Sequence, residues 1–225
     1  MKTIVIIPYR DRQIHLDYYL ANSVPKLTEL IPEIEFIVVE QTSGKKFNRG
    51  KVINVGYHFY NKSDDYYITQ DVDVNPNKEE TFSMYQTEVK ENKFLGIYSD
   101  GQTLGGIVKF RGSTFEKVNG FPNDYWGWGH EDKDLSNRAE FMNCQIERLI
   151  KFDEFKKKET YFNIFQDHHK REECDKFRVA YYAWKASPPE IQKGYLLSNG
   201  LSTLEYEIVK TEQLLPNVKK IIVNI

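Results

Sequence analysis

Tyr66-Tyr67-Ile68-Thr69-Gln70-Asp71-Val72-Asp73 runs from a short apolar segment into two carboxylates one residue apart. Tyr66 to Ile68 reads as a strand, and it is the third of a series. Upstream, Glu35 to Glu40 carries Phe36, Ile37, Val38 and Val39, the continuous apolar pattern of a buried strand. Ile4 to Ile7 repeats that pattern and stops at Pro8. Between these two strands, His15 to Leu30 reads as a helix with apolar residues at Leu16, Tyr19, Leu20, Leu27 and Leu30; Pro25 is expected to break or bend it. Lys51 to Tyr60 forms a second amphipathic helix. Strand, helix, strand, helix, strand is the βαβ rhythm of a parallel α/β sheet.

Beyond residue 75 the rhythm changes. Phe94 to Tyr98 and Gly106 to Phe110 read as strands flanking a glycine-rich loop, Ser113 to Val118 as a short helix and Asp132 to Asn143 as a longer one. Residues 150–195 are polar and irregular, with Ser187-Pro188-Pro189 as a breaker. Leu204 to Lys210 and Val218 to Val223 read as closing strands.

A chain of 225 residues suits one domain, with or without a small lobe, and can bury a full core. Its net charge of −2 provides no basic field for nucleic acid or an anionic membrane. The run Lys156-Lys157-Lys158 reads as a solvated face. Cys144 and Cys174 form no metal pattern and are expected to be free thiols in a reducing compartment. No apolar run reaches membrane-spanning length, and Ile4 to Ile7 is too short for a signal-peptide core. The expectation is a cytoplasmic or otherwise soluble chain without signal peptide or membrane anchor.

Asp71 and Asp73 fall where ligands bind in open α/β sheets, at the carboxyl end of a strand. Strand alternation would turn both to one side, and their hard oxygens suit Mg²⁺ or Mn²⁺, although such triplets also occur in surface turns. Phe47-Asn48-Arg49-Gly50-Lys51 opens the second helix. It could stack a base and hold phosphate, or be a helix start capped by Asn48. Arg10 and Arg12 follow the first strand, either at the same face or solvated.

Tyr125-Trp126-Gly127-Trp128-Gly129-His130-Glu131-Asp132-Lys133-Asp134 sets indole and glycine directly before three carboxylates. That combination suits stacking on a sugar and handling a hydroxyl proton. It also suits an anchored loop followed by the acidic first turn of a helix. His168 and His169, beside Asp167, form an imidazole–carboxylate cluster in which one ring is a bystander; His15 and His58 read as structural, and His130 as a substrate contact.

In this order the motifs resemble the β-1,4-galactosyltransferase family over nearly the whole chain. Pro8-Tyr9-Arg10-Asp11-Arg12 with His15-Leu16 is similar to its first UDP-contact segment, and Phe47 to Lys51 with Asn54-Val55-Gly56 to its second. Asp71-Val72-Asp73 matches its metal motif. Gly105-Gly106 and Asn119-Gly120-Phe121-Pro122-Asn123 precede the tryptophan–acid block as they do in the family, and Ser198-Asn199-Gly200-Leu201, with Leu204 and Tyr206, has its counterpart near the C-terminus.

The resemblance implies a GT-A fold spanning residues 1–225: a Rossmann-like mixed sheet flanked by helices, with a small acceptor lobe. Residues to about 110 would bind nucleotide-sugar and metal, and those from about 111 would bind acceptor and close the site. It implies inverting transfer of a hexose, galactose or N-acetylgalactosamine, from a UDP-sugar to a glycan or glycoside hydroxyl, with Mn²⁺ (or Mg²⁺) on the diphosphate. Carried over by position, Pro8, Arg10, Arg12, Phe47, Arg49, Asp71, Val72, Gly106 and Trp128 would hold the donor. Trp128, His130, Asp132 and Lys133 would meet the acceptor, and Asp73 with His168 or His169 would bind metal. Glu131 would contact the donor sugar, and Asp132 would be the general base.

The chain departs from the family at several places, and the family's histidine ligand motif is not cleanly present in residues 161–169. Lys133 stands where a carboxylate helps hold the acceptor, which suggests an acidic or phosphorylated acceptor. His130 stands for a glycine, and Thr103 for an aromatic. A non-catalytic sugar- or sugar-nucleotide-binding module on the same fold is the second reading. A metal-dependent nuclease or phosphatase is a third, and it leaves the tryptophan–acid block unexplained.

Overall fold

Along β1 (Thr3–Tyr9) every residue is buried, and alternate side chains enter different cores. Ile4 and Ile6 join one apolar cluster, whereas Val5 and Ile7 join another. A strand buried on both faces needs cover on both, at about 1.5–3 kcal/mol of favourable burial per large apolar side chain. In the computed structural model, which describes residues 1–165 and 175–225, that cover comes from two helical layers.

The N-terminal half follows the βαβ rhythm. After β1 come α1 (Gln13–Leu30), β2 (Ile34–Gln41), α2 (Arg49–Tyr60) and β3 (Tyr66–Thr69). The three strands pair in parallel, with β1 between β2 and β3. Helix α1 supplies Leu16, Tyr19, Val24 and Leu27 to the core of Val5 and Ile7; α2 supplies Val52, Ile53 and Val55 to that of Ile4 and Ile6.

Pro25 does not break α1, which continues to Leu30. An interior proline costs about 3 kcal/mol. Burial of Val24 and Leu27 on either side of it, and a bond from Thr28 Oγ1 to the Val24 carbonyl at 2.7 Å, hold the last turns in place.

The chain then passes through β4 (Val74–Pro76), α3 (Glu79–Ser83), β5 (Lys93–Tyr98), β6 (Ile107–Arg111), α4 (Gly112–Lys117), α5 (Glu131–Phe141), β7 (Gln145–Arg148), α6 (Phe152–Phe155) and β8 (Phe162–Ile164). It closes with α7 (Asp175–Lys185), α8 (Pro189–Ser198), β9 (Glu207–Leu215) and β10 (Val218–Asn224). Among the described residues, the main sheet has the order β7-β5-β6-β3-β1-β2-β10-β9, and β4 pairs with β8 in a small second sheet. The main sheet is mixed: β6 lies antiparallel to β3, and β9 antiparallel to β10.

The stretch read as irregular, residues 150–195, contains α6, β8, α7 and the start of α8. Pro188 and Pro189 start α8 rather than ending structure, since proline's fixed φ and missing N–H suit a first helical turn.

Candidate active site

The C-terminal ends of β1, β2 and β3 share one edge of the sheet, and antiparallel β6 begins at that edge, with Thr69 opposite Val108. Pro8, Arg10, Arg12, Phe47, Arg49, Asp71, Asp73 and Gly106 are all at or just beyond it. Motifs separated by up to about a hundred residues in sequence therefore meet because parallel strands end together.

Arg49 is the junction of the site. It sits in the first turn of α2, where Asn48 Oδ1 caps the helix by accepting from Lys51 N at 2.9 Å. Its Nε donates to Asp71 Oδ1 at 2.9 Å, and one terminal nitrogen donates to the Gly106 carbonyl at 3.3 Å. The other terminal nitrogen lies 3.7 Å from Glu131 Oε1 in the first turn of α5. One buried guanidinium thus ties the segment after β3, the start of β6 and the tryptophan–acid block together.

Asp71 and Asp73 do not alternate as strand residues. They lie in a turn between β3 and β4, closed by a bond from Val74 N to the Asp71 carbonyl at 3.1 Å, with Val72 buried. Each faces its own cation: Asp71 meets Arg49, and Asp73 Oδ2 accepts from Arg12 at 3.1 Å. Burial, and then repulsion from Asp71, raises the Asp73 carboxyl above its ordinary pKa. A divalent cation would relieve that repulsion, and hard carboxylate oxygens suit Mn²⁺ or Mg²⁺. Among the described residues no third His, Cys, Asp or Glu completes a cluster. His168 and His169, expected as ligands, lie outside the described residues, as does Cys174. Cys144 is a buried free thiol.

One support of this turn was not singled out in the sequence, and one neighbour was read there as structural. Gln70, fully buried, donates to the Val74 and Asp71 carbonyls at 2.7 and 2.9 Å and accepts from Tyr85 Oη at 2.6 Å. His15, read as structural, lies close enough to Asp73 to act on its charge, and its Nδ1 is buried without a hydrogen-bond partner among the described residues. A histidine one helical turn beyond Arg12 was the available signal.

The three carboxylates of the tryptophan–acid block part company. Asp134 is fully buried, paired with Arg138 Nε at 2.6 Å and bonded to Tyr125 Oη at 2.9 Å, so it holds the block in place. Glu131 faces Arg49, and its pKa is pushed up to about 7, first by burial and then by the neighbouring Asp132. Asp132 lies against Gly105, the first of the paired glycines. A Cβ on Gly105 would come within 2.8 Å of Asp132 Oδ2, so a side chain there would push the carboxylate from this place. The first-turn position of all three also suits the helix dipole, so the structural and chemical readings of the block coexist.

The loop before α5 has positive φ at Gly127, Gly129 and His130. His130, at φ 74°, holds a conformation glycine adopts more easily, and its ring stacks on Tyr181 at 5.6 Å. Trp128 is 50% exposed, whereas Trp126 packs on the core beneath the Lys45 and Lys51 ammonium groups. Arg10 lies 5.3 Å over the Phe47 ring, whose backbone carbonyl accepts from Gly127 N at 2.8 Å.

The asparagine-rich motifs brace this arrangement. Asn54 bonds the backbone of Phe121 in both directions, at 2.7 and 2.9 Å. Asn123 N donates to Asn199 Oδ1 at 2.7 Å, and Asn119 Nδ2 to the Leu196 carbonyl at 2.7 Å. His58 meets the Tyr206 hydroxyl at 3.0 Å, away from the strand-end edge. No helix of the described residues is long and apolar enough to cross a membrane.

Two family models match consecutive parts of the chain: the N-terminal region of glycosyl transferase group 7 over residues 1–88, and the N-terminal domain of galactosyltransferase over residues 88–168. Beta-1,4-galactosyltransferase 4 of Homo sapiens is 38% identical over 155 residues, 65% of this chain and 44% of that protein. Beta-1,4-galactosyltransferase 1 of Bos taurus is 31% identical over 240 aligned positions, 100% of this chain and 54% of that protein. The chain spans about half the length of the curated relatives it matches. Among solved structures, a mutant of Drosophila beta-1,4-galactosyltransferase 7 in complex with manganese, UDP-Gal and xylobiose superposes with a TM-score of 0.76 at 25% identity. That match covers 99% of this chain and 92% of the other.

Proposed function

Because the chain belongs to the β-1,4-galactosyltransferase family and has the GT-A fold, we propose that it transfers galactose from UDP-galactose to a sugar hydroxyl with inversion, using a divalent metal ion. The observation that carries this reading is the Arg49 junction, which sets the Asp71–Asp73 turn beside the Glu131–Asp132 pair. A donor at the strand ends and an acceptor at α5 would then meet between them.

In this reading the uridine lies against Phe47, with Arg10 and Arg12 near the diphosphate and Pro8, Val72 and Gly106 shaping the donor floor. Arg49 fixes Asp71 and Glu131 and so orients the donor side. Asp73 would hold Mn²⁺ or Mg²⁺, which when bound neutralises charge on the departing diphosphate. Asp132 takes the proton from the attacking hydroxyl as that oxygen bonds to the anomeric carbon and the bond to UDP breaks. Glu131, with its pKa near neutrality, can donate a hydrogen bond to a donor-sugar hydroxyl when protonated. Trp128, on its glycine-flanked loop, would cover the donor and exclude water.

The test is UDP release from UDP-galactose and other UDP-sugars, with and without Mn²⁺, first with water and then with simple glycosides as acceptor. Metal-dependent release that is fastest with UDP-galactose is the expected result. No release from any donor, with UDP still bound in calorimetry, would replace this reading with the binding module.

A further inference from the structure

Beside Asp132 in the chain is a cleft of about 580 Å³ whose lining includes three cations and two aromatic rings. Lys133, Arg148 and Lys185 line it against the single carboxylate of Glu140, and Tyr181 and Tyr182 form an aromatic wall. Three elements build it: Lys133 from the first turn of α5, Arg148 from the end of β7, and Tyr181, Tyr182 and Lys185 from α7. The cleft adjoins the expected base through the backbone of α5. Ser136, in its wall, donates to the Asp132 carbonyl at 3.0 Å, and Lys133 is the next residue in the chain.

The cations are not spent on one another's neighbours. Arg148 donates to two backbone carbonyls, Asp100 and Thr103, and forms no carboxylate pair among the described residues. Burial, the largest influence, pulls its pKa below the ordinary arginine value. Neither Lys133 nor Lys185 has an ion pair among the described residues. A partly enclosed cleft with this excess of positive charge lowers the energy of an anion that enters it. Tyr182, half exposed, offers a face for a sugar ring and a hydroxyl for its polar groups, and buried Tyr181 backs the wall. His130, stacked on Tyr181, links the wall of the cleft to the loop that carries Trp128.

We propose that this cleft binds an anionic group (carboxylate, sulfate or phosphate) carried by the acceptor, with Lys133, Lys185 and Arg148 as its cationic contacts. The proposal rests on the transferase reading for the word acceptor, but its binding test does not depend on turnover. It extends the meaning of Lys133 from one substituted position to a three-cation subsite assembled from α5, β7 and α7.

The experiment compares methyl β-D-glucoside with methyl β-D-glucuronide and with the 6-sulfate and 6-phosphate of the glucoside, each titrated calorimetrically into the chain with UDP and Mn²⁺ present. The expected result is binding of at least one charged glycoside about tenfold or more tighter than the neutral one. That preference should narrow as salt rises, because exposed charge contacts are screened. In the double variant Lys133→Gln, Lys185→Gln the preference should fall to about threefold or less, and Lys185→Glu should reduce it further. Which charged glycoside binds most tightly distinguishes carboxylate, sulfate and phosphate. Equal binding of neutral and charged glycosides, no binding of any charged one, or a preference that survives the double variant would overturn the proposal. UDP release without anion preference would remove the cleft assignment alone. Anion preference without UDP release would remove the transferase reading alone.

Discussion

Replacing Arg49 with methionine keeps the aliphatic stem but removes the charge that joins the two halves of the site. Arg49 is 14% exposed at its side chain, Glu131 12% and Asp71 28%, so none of the three can fully rehydrate in place. Deleting one partner of a buried ion pair costs about 3–5 kcal/mol. Asp71, the most exposed, recovers some solvation, which places the expected loss near the lower end, about 3 kcal/mol above neutral pH. The pH dependence identifies the cause. The folded-state pKa of Glu131 is raised from 4.5 to about 7, so its stabilising contribution is fully present below 4.5 and is lost as pH rises through 7. Arg49 lowers that pKa, so its removal moves the folded value higher still, by about 1.4 kcal/mol per unit. At pH 6 Glu131 is protonated in both folded proteins and the gap narrows to about 1–2 kcal/mol; near pH 8.5 it is widest. Urea unfolding at the two pH values, with unchanged m, measures both quantities. A loss under about 1 kcal/mol at pH 8.5, or the same loss at both pH values, would show that Arg49 is not the electrostatic junction.

Other substitutions separate the remaining roles. Asp132→Asn should reduce transfer by about 10²-fold or more while UDP and Mn²⁺ binding stay intact; near wild-type turnover would remove Asp132 as base. Asp73→Ala should weaken UDP binding in the presence of Mn²⁺ and leave metal-free UDP binding little changed, and calorimetry with unchanged affinities in both conditions would take Asp73 out of the metal site. Gly200→Ala should lower thermal stability by about 2–4 kcal/mol. Gly200 has φ +155°, and an added Cβ would lie 1.9 Å from the Asn119 carbonyl oxygen. An unchanged melting temperature would mean that the Asn119–Leu201 bracing yields easily.

Much of the fold could be read from period and punctuation. β1 and β2 carry unbroken apolar runs, Ile4 to Ile7 and Phe36 to Val39, because a parallel strand buried on both faces has no polar side to show. The site motifs stood out for a related reason: carboxylates, arginines and glycines follow such strands only where the chain turns at the sheet edge. Less of the later chain was legible. Pro25 signalled a break that local sequence alone would favour, and packing of Val24 and Leu27 overrode it. The polar stretch leading to Ser187-Pro188-Pro189 gave no apolar run long enough to mark β8, and among the described side chains of α7 only Tyr181 and Trp184 are buried.

The sequence by itself determined the βαβ core, the strand-end face and the residue types gathered there, because those follow from hydrophobic period and from where polar residues interrupt it. Only the tertiary structure decided what each charge faces. Asp71 and Asp73 share a motif yet meet different arginines, and of three neighbouring carboxylates Asp134 went to a buried ion pair, Glu131 to Arg49 and Asp132 to a place against Gly105. The energy of a charge depends on its partners and its burial, and both are set by contacts between segments far apart in the chain.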